Sequence, residues 1–274
     1  MCQLLGMNAN TATDLVFSFT GFARRAEEHK DGFGIAFFEG AGVRLFVDAQ
    51  SASTSPVAQM VRSYPIRSSH IIAHIRKATQ GAVLLENTHP FVRELWGRYW
   101  VFAHNGDLKD FHPLLDGAFR PVGNTDSERA FCYILQTLRA RFGDAHPERD
   151  ALRAVLQELV QEIAAHGTFN MMLSSGNELY AHCSTNLYYL VRQYPFVTAE
   201  LSDEDMSVDF SEVTTPNDRV AIIVTQPLTT NEQWTAFAPG ELKVFLDGIP
   251  DAQGSPKLSE TSCANDAKIS GKTA

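Results

Sequence analysis

The chain has 274 residues, of which 44% are hydrophobic and 20% are charged, so it can bury a sizeable core in one large domain or two small ones. Its formal net charge of −9 argues against a nucleic-acid partner, because no basic stripe is present to neutralise phosphates. No stretch reaches the ~18 apolar residues of a membrane helix, and no basic segment precedes the first apolar residues. We therefore expect no membrane association, no signal peptide and a cytoplasmic location.

The first half of the chain reads as short strands around one helix. In chain order the patterns predict a strand over 2–7, a helix over 13–29, a hairpin of strands 34–38 and 43–47, and a strand pair at 69–76 and 99–103.

The second half predicts two long amphipathic helices followed by strands. The helices cover 125–142 and 147–165, and the strands cover 169–174, 178–183, 187–191, 220–225 and 242–246. From 251 to 274 large apolar residues nearly vanish, which predicts a disordered tail after a domain over 1–250. Strands, then helices, then strands indicate an α+β fold with antiparallel sheets covered by helices.

The four cysteines are irregularly spaced and form no CxxC pair, which is typical of free thiols in a reducing compartment: Cys2, Cys132, Cys183 and Cys263. Cys2 directly follows Met1, and its small side chain permits removal of the methionine. The α-amine thus exposed would titrate near ~7.7–8.0 and could act as a general base for the neighbouring thiol. The alternative is that Cys2 only begins a strand.

Four polar segments lie at predicted strand ends or turns, where active-site groups gather. They are 29–34, 74–81 with 87–90 shortly after it, 103–107, and 123–128.

Each of these segments also has a purely structural interpretation. Asn105-Gly106 is a common turn dipeptide, and Thr125 with Glu128 matches a capping box in which Asp126 is a first-turn acid. Arg76 could form an ordinary surface ion pair. Three histidines, His74, His89 and His104, lack the HxH or HExxH spacing of metal ligands, so we expect no metal.

Taken together with Cys2, these segments resemble class II glutamine amidotransferase domains in order and in spacing. The resemblance implies an N-terminal cysteine nucleophile in an Ntn-hydrolase fold, a four-layer αββα sandwich of two antiparallel sheets covered by helices. The stretches 169–185 and 215–228 are similar to the small stand-alone, YafJ-type members.

The family pattern implies a role for each matching residue. Cys2 would attack the side-chain amide of glutamine, and its α-amine would carry the proton to the departing nitrogen. The Asn105 amide and the Gly106 N–H would stabilise the oxyanion, with glycine at 106 leaving room for close approach. The planar fork of Arg76 suits the α-carboxylate, and Asp126 suits the α-ammonium.

Two positions of the substrate loop and one downstream of it complete this comparison. Thr79 matches a loop position that could hydrogen-bond the ligand, and His89 matches a histidine expected to position the loop. Lys77 stands where the family often carries an aromatic residue, a departure that bears on loop closure and substrate choice.

The sequence therefore predicts a cofactor-free amidohydrolase acting on glutamine or another γ-glutamyl compound. Ammonia would either be released or pass to a separate synthase partner, because no fused synthase domain is expected. One alternative is a non-catalytic γ-glutamyl-binding or scaffold protein. Another is a papain-type hydrolase using Cys132 or Cys183. Cys132 lies on an apolar helix face, and Cys183 would face away from His182 on a strand.

Overall fold

The computed structural model describes residues 2–14, 16–25, 30–63, 67–77 and 82–251. In chain order these residues form β1 (Gln3–Asp14), α1 (Val16–Arg24), β2 (Phe33–Glu39), β3 (Gly42–Asp48), α2 (Pro56–Ser63), β4 (Arg67–Ile75), β5 (Phe91–Leu95), β6 (Arg98–Leu108), α3 (Asp126–Phe142), α4 (Arg149–Ala164), β7 (Gly167–Ser174), β8 (Leu179–His182), β9 (Tyr188–Gln193), β10 (Thr198–Glu200), β11 (Ser207–Asp209), β12 (Arg219–Val224), β13 (Thr235–Ala236), β14 (Leu242–Leu246) and β15 (Ile249–Pro250).

Most of the strands belong to two large antiparallel sheets. The first sheet has the order β13-β9-β12-β1-β4-β2-β3, and the second has the order β15-β14-β8-β7-β6-β5. A small ribbon of β10 and β11 lies outside both sheets.

The two large sheets pack face to face, and alternation along each strand builds the core between them. Leu4 on β1 and Val101 on β6 belong to the apolar cluster between the sheets. Their neighbours Leu5 and Phe102 face the opposite sides and join the two outer clusters. Because successive strand side chains point to opposite faces, each central strand contributes to two apolar layers.

Helices cover both outer faces of the sheets. Phe22 of α1 and Ala58 of α2 pack on the first sheet, and Phe131 of α3 and Leu156 of α4 pack on the second. The layers therefore run helix, sheet, sheet, helix, which confirms the predicted α+β sandwich.

Two sequence predictions about the elements were wrong, and one helix was missed. The segments 69–76 and 99–103 do not pair, because β4 lies in the first sheet and β6 lies between β5 and β7 in the second. The predicted helix over 13–29 begins later, since Asp14 still belongs to β1, and 26–29 lie outside the described residues. The short helix α2 was not predicted.

The dipeptide Asn105-Gly106 is not a turn. β6 continues through both residues to Leu108, in register with β7 from Val101 opposite Ser174 to Leu108 opposite Gly167. Pairing with β7 outweighs the local turn preference of the dipeptide.

Within the described ranges, no helix is both long and apolar enough to cross a membrane. The tail predicted over 251–274 lies outside the described residues except for Asp251, so the predicted disorder stays a prediction.

Candidate active site

Cys2 lies at the sheet end where three strands of the first sheet meet. Gln3 on β1 and Phe33 on β2 are both paired with Ile75, the last residue of β4. This register places the segment after β4 beside the thiol. The Lys77 N–H donates to Cys2 Sγ over 3.2 Å, and the thiol lies 3.3 Å from the Lys77 carbonyl oxygen. The Lys77 side chain itself is exposed.

The electrostatic surroundings of the thiol act in opposite directions. Burial raises the pKa of Cys2, while the Lys77 N–H and the charge of Arg76 lower it. The sulfur therefore depends on a nearby base to become a nucleophile. It also has a backbone donor and a cation in place to stabilise the thiolate once it forms.

The second sheet brings Asn105 to the same place. Its side-chain Nδ2 donates to the main-chain carbonyl of Cys2 over 2.6 Å, and the residue is only 1% exposed. Its own carbonyl accepts a hydrogen bond from Asn170 Nδ2 at 3.2 Å. Asn170 is in turn held by three contacts of its side chain with Ser184 and Thr185. This network fixes the Asn105 backbone and leaves one amide hydrogen of Nδ2 beyond the one used at Cys2.

The N–H of Gly106 points away from β7. The Lys109 N–H bonds the His166 carbonyl at 2.8 Å, and hydrogen-bonded pairs alternate along an antiparallel ladder, so Gly106 and Phe169 form a non-hydrogen-bonded pair. On the other side of β6, pairing with β5 ends at Phe102. The N–H of Gly106 is therefore directed to the side of β6 that faces β5, at a position beyond the last β5 pair. Gly106 directly follows Asn105 in the chain.

Glycine is required at 106 for a reason that the sequence did not reveal. A Cβ atom there would lie 1.8 Å from the Thr168 carbonyl oxygen and 2.6 Å from His104 Nε2. The close approach is between strands β6 and β7.

Arg76 is not a surface residue, since only 3% of it is exposed. Its main-chain N–H bonds the Gly32 carbonyl at 2.8 Å, and Nη1 donates to the Ala82 carbonyl at 3.1 Å. Burial lowers the pKa of Arg76, while the charges of Cys2 and Asp31 raise it. A buried guanidinium beside the thiol is a suitable receptor for a carboxylate.

Asp126 begins α3 and is tied to β6. Its Oδ2 accepts from the Leu108 N–H at 2.7 Å, two residues beyond Gly106, and Oδ1 accepts from the Ser127 N–H at 2.8 Å. Thr125 caps the helix as predicted, because its hydroxyl accepts from the Glu128 N–H at 3.3 Å.

The capping box is only half formed. Instead of returning to Thr125, the buried Glu128 carboxylate accepts from the N–H groups of Val122 and Gly123, at 3.1 and 2.7 Å. It also forms an ion pair with Arg93. Glu128 therefore holds the loop before α3 as well as the helix itself.

His104 joins this helix to β6. Its Nε2 lies 3.0 Å from the Thr168 carbonyl, which can only accept, so Nε2 carries a hydrogen. Burial lowers the pKa of His104, which favours the neutral ring, and Nδ1 then accepts from the Ser127 hydroxyl at 2.8 Å. The bond links the residue before Asn105 to the residue after Asp126.

His89 is buried close to His74, Arg76 and His104. Its ring lies between those of His74 and Phe91 in tilted contacts, at centroid distances of 4.4 and 4.5 Å. Burial, followed by the charges of His74, His104 and Arg76, puts the pKa of His89 well below its usual value. This placement favours the predicted positioning role over direct contact with a ligand.

The structure thus brings together Cys2, Arg76, Asn105, Gly106 and Asp126. Thr79 lies outside the described residues, so its role stays a prediction. Cys132 and Cys183 are buried in the core, and burial raises the pKa of Cys132 to about 11. Among the described residues, no group of three or more His, Cys, Asp and Glu is placed to hold a metal ion.

Several positioning residues were not identified from the sequence. They are the Lys77 N–H, Asn87, Asn170 and the carboxylate of Glu128. Asn87 lies in a segment that the sequence singled out, but its partner Asn124 lies 37 positions along the chain.

Comparison with known proteins was consistent with this geometry. The family model described as "Glutamine amidotransferases class-II" matches residues 1–269. A Haemophilus influenzae protein named "Putative glutamine amidotransferase" is 52% identical over 262 residues, covering 94% of this chain and 89% of that protein. YafJ of Escherichia coli, with the same description, is 51% identical, covering 90% of this chain and 98% of its own length.

Solved structures show the same similarity. The crystal structure of a predicted glutamine amidotransferase from Pseudomonas aeruginosa is 42% identical, with a TM-score of 0.74, and the match covers 92% of this chain and all of that one. The glutamine phosphoribosylpyrophosphate amidotransferase of B. subtilis matches at a TM-score of 0.58 and 14% identity, covering 91% of this chain and 48% of its own. The second likeness concerns the fold alone.

Proposed function

Because the chain belongs to the class II glutamine amidotransferases, we propose that it cleaves the side-chain amide of glutamine or another γ-glutamyl compound through Cys2. The observation that carries this proposal is the 2.6 Å hydrogen bond from Asn105 Nδ2 to the Cys2 carbonyl. It joins the candidate nucleophile on one sheet to the candidate oxyanion donor on the other.

Before the first turnover, removal of Met1 frees the α-amine of Cys2. This amine takes the thiol proton, and the sulfur attacks the amide carbon to form a tetrahedral intermediate. The C–N bond then breaks, and the nitrogen leaves as ammonia with the proton returned by the amine. Water hydrolyses the resulting γ-glutamyl thioester, which releases glutamate and restores the thiol.

Two donors would stabilise the negative oxygen of the tetrahedral intermediates. They are the second Nδ2 hydrogen of Asn105 and the N–H of Gly106, and each such donor is typically worth about 10²–10³ in rate. Both lie on the rigid strand β6, whose position is fixed by β7 and by Asn170. A donor that is already held in place needs no reorganisation during the reaction.

Recognition of the amino-acid end would use opposite charges. The buried guanidinium of Arg76 would bind the α-carboxylate, and the Asp126 carboxylate would bind the α-ammonium. Thr79 would add a hydrogen bond to the ligand. These contacts orient the γ-amide towards Cys2, so that binding energy at one end of the substrate supports chemistry at the other.

Retention of the nucleophile and the oxyanion donors supports an enzyme over a non-catalytic binding module. A degenerate domain would be expected to lose the nucleophile or the oxyanion donors first, and Cys2, Asn105 and Gly106 are all present. In the absence of any partner, the purified protein should release ammonia and glutamate in equal amounts.

The test is glutamine hydrolysis by purified protein and its cysteine variants. Cys2→Ala should abolish activity, whereas Cys132→Ala and Cys183→Ala should leave it largely intact, because both thiols are buried away from the site. Hydrolysis by the Cys2 variant at the wild-type rate would reject the mechanism.

A further inference from the structure

Asn87 ends the short 3-10 turn Leu85–Asn87 and has no exposed surface. Its side chain makes three hydrogen bonds. Nδ2 donates to the Ala82 carbonyl at 3.0 Å and to Asn124 Oδ1 at 2.9 Å, and Oδ1 accepts from the Asn124 N–H at 3.0 Å. A buried amide with every contact directed at two specific loops is suited to hold them together.

The orientation of this amide follows from its partners. The Ala82 carbonyl can only accept, and the Asn124 N–H can only donate, so Nδ2 must face the former and Oδ1 the latter. A flipped amide would place like groups against each other at both contacts. The network therefore specifies a single arrangement.

The two loops that Asn87 joins carry the two charged receptors of the proposed site. The Ala82 carbonyl accepts from Arg76 Nη1 as well as from Asn87 Nδ2, so both side chains converge on one oxygen. Asn124 lies two residues before Asp126, at the start of α3. Asn87 is thus linked to Arg76 through the shared Ala82 carbonyl. It is linked to Asp126 through Asn124, two residues earlier in the chain.

Close packing and a second side chain reinforce the same connection. A Cβ atom at Gly123 would lie 2.2 Å from Asn87 Oδ1 and 2.8 Å from the Glu86 carbonyl, so the loop before α3 packs directly on the turn. From its other side, the buried Glu128 carboxylate accepts the N–H of Gly123 at 2.7 Å. The loop has little freedom to shift relative to Asn87.

We propose that Asn87 is a positioning residue that sets the separation between Arg76 and Asp126, and so selects ligands carrying both a free α-carboxylate and a free α-ammonium. The inference rests on the proposed roles of Arg76 and Asp126. The hydrogen bonds of the Asn87 side chain go to Ala82 and Asn124 and not to Cys2. Loss of this side chain should weaken recognition of the amino-acid end without slowing the thiol itself.

The experiment compares two electrophiles that both alkylate Cys2. One is 6-diazo-5-oxo-norleucine, which carries the α-amino-acid end of glutamine, and the other is iodoacetamide, which lacks it. Second-order rate constants for labelling at Cys2 are followed by peptide mass spectrometry in wild type, Asn87→Ala and Asn124→Ala. The second variant removes one of the three contacts at an exposed position that tolerates substitution.

Asn8→Ala is the matched control. Asn8 is also a fully buried asparagine with three side-chain contacts, to His70, Asn177 and Gly248. It lies six residues along β1 from Cys2, about 20 Å away at the spacing of an extended strand. It should lose stability comparably while keeping both labelling rates.

We expect Asn87→Ala to slow labelling by the glutamine analogue about 10- to 100-fold, with Asn124→Ala in the same direction but smaller, and iodoacetamide labelling within about twofold of wild type. An unchanged ratio of the two rates in Asn87→Ala would overturn the inference and leave the proposed function standing. If Asn87→Ala does not fold, an unchanged ratio in Asn124→Ala overturns it. Failure of the analogue to label wild type at Cys2 would instead reject the proposed function, and this inference with it.

Discussion

The side-chain amide of Asn105, on β6 of the second sheet, donates a 2.6 Å hydrogen bond to the main-chain carbonyl of Cys2, which directly precedes β1 of the first sheet. The contact crosses the interface of the sandwich at the end where β1 begins. The position of the proposed nucleophile therefore depends on how the two sheets pack. A substitution on β6 that moves Asn105 should also move Cys2.

Asn105→Ala should lower kcat for glutamine hydrolysis by about 10²–10³ and change KM much less, because the amide is proposed to act on the developing oxyanion. Steady-state kinetics with glutamine provide the measurement. A large rise in KM with unchanged kcat would show that Asn105 binds the ground state and would remove it from the oxyanion site.

Gly106→Ala should destabilise the fold as well as abolish activity. The added methyl would lie 1.8 Å from the Thr168 carbonyl, so β6 and β7 must separate, at a cost of about 2–4 kcal/mol in the free energy of unfolding. Gly42→Ala is the control, since its nearest neighbour is 3.4 Å away. Urea unfolding of both variants should differ accordingly, and equal stabilities would contradict the packing argument.

Arg76→Lys should raise the KM for glutamine about 10- to 100-fold, because an ammonium cannot replace the bidentate contact of a guanidinium with a carboxylate. Arg141→Lys, at an exposed surface ion pair with Glu158, is the matched control and should behave as wild type. An unchanged KM in the Arg76 variant would exclude this residue from the substrate pocket.

The identities of the proposed site residues could be predicted because the family pattern is local in sequence. Cys2, Arg76, Asn105 and Asp126 each lie in a short polar segment, and the structure places all four segments at one end of the sandwich. The layer order was likewise predicted from this resemblance, whereas periodicity alone indicated only antiparallel sheets with helices.

The predictions that failed relied on the local conformational preference of a few residues. In the structure, the conformation there is set by partners that are distant in the chain. Asn105-Gly106 favours a turn in isolation, but β7 pairs with it from more than 60 residues away. Thr125 and Glu128 match a capping box, yet Glu128 bonds the loop before it and Arg93. A sequence pattern does not report such partners.

The missed helix α2 had a local signal that we did not use. Pro56 is its first residue, and the preceding Ser55 hydroxyl accepts from the N–H groups of Val57 and Ala58 at 3.1 and 3.3 Å. The hydrogen bonds of Asn87 with Asn124 had no such local signal, because Asn124 lies 37 positions along the chain.

The buried histidine His89 predicts a loss of stability in acid. Unfolded histidine titrates near ~6.5, whereas burial keeps the pKa of His89 well below that value, so the unfolded state binds more protons below pH ~6.5. Stability should therefore be complete above pH ~6.5 and fall as the pH drops further. His104 and His182, whose pKa values burial also lowers, contribute with the same sign.

The variant His89→Phe isolates this contribution. Neither ring nitrogen of His89 has a hydrogen-bond partner among the described residues, so an aromatic replacement between His74 and Phe91 loses no polar contact there. Between pH 6.5 and 5, its unfolding free energy should depend on pH less steeply than that of wild type, by up to about 1.4 kcal/mol per pH unit. Identical slopes would contradict burial of a neutral ring.

The proposed mechanism requires that Cys2 become the first residue and act with its own α-amine. Intact-mass analysis of active protein, before and after treatment with 6-diazo-5-oxo-norleucine, tests both parts at once. We expect a mass lacking Met1 and a single adduct that peptide mapping places on Cys2. Active protein that retains Met1, or an adduct at another residue, would contradict it.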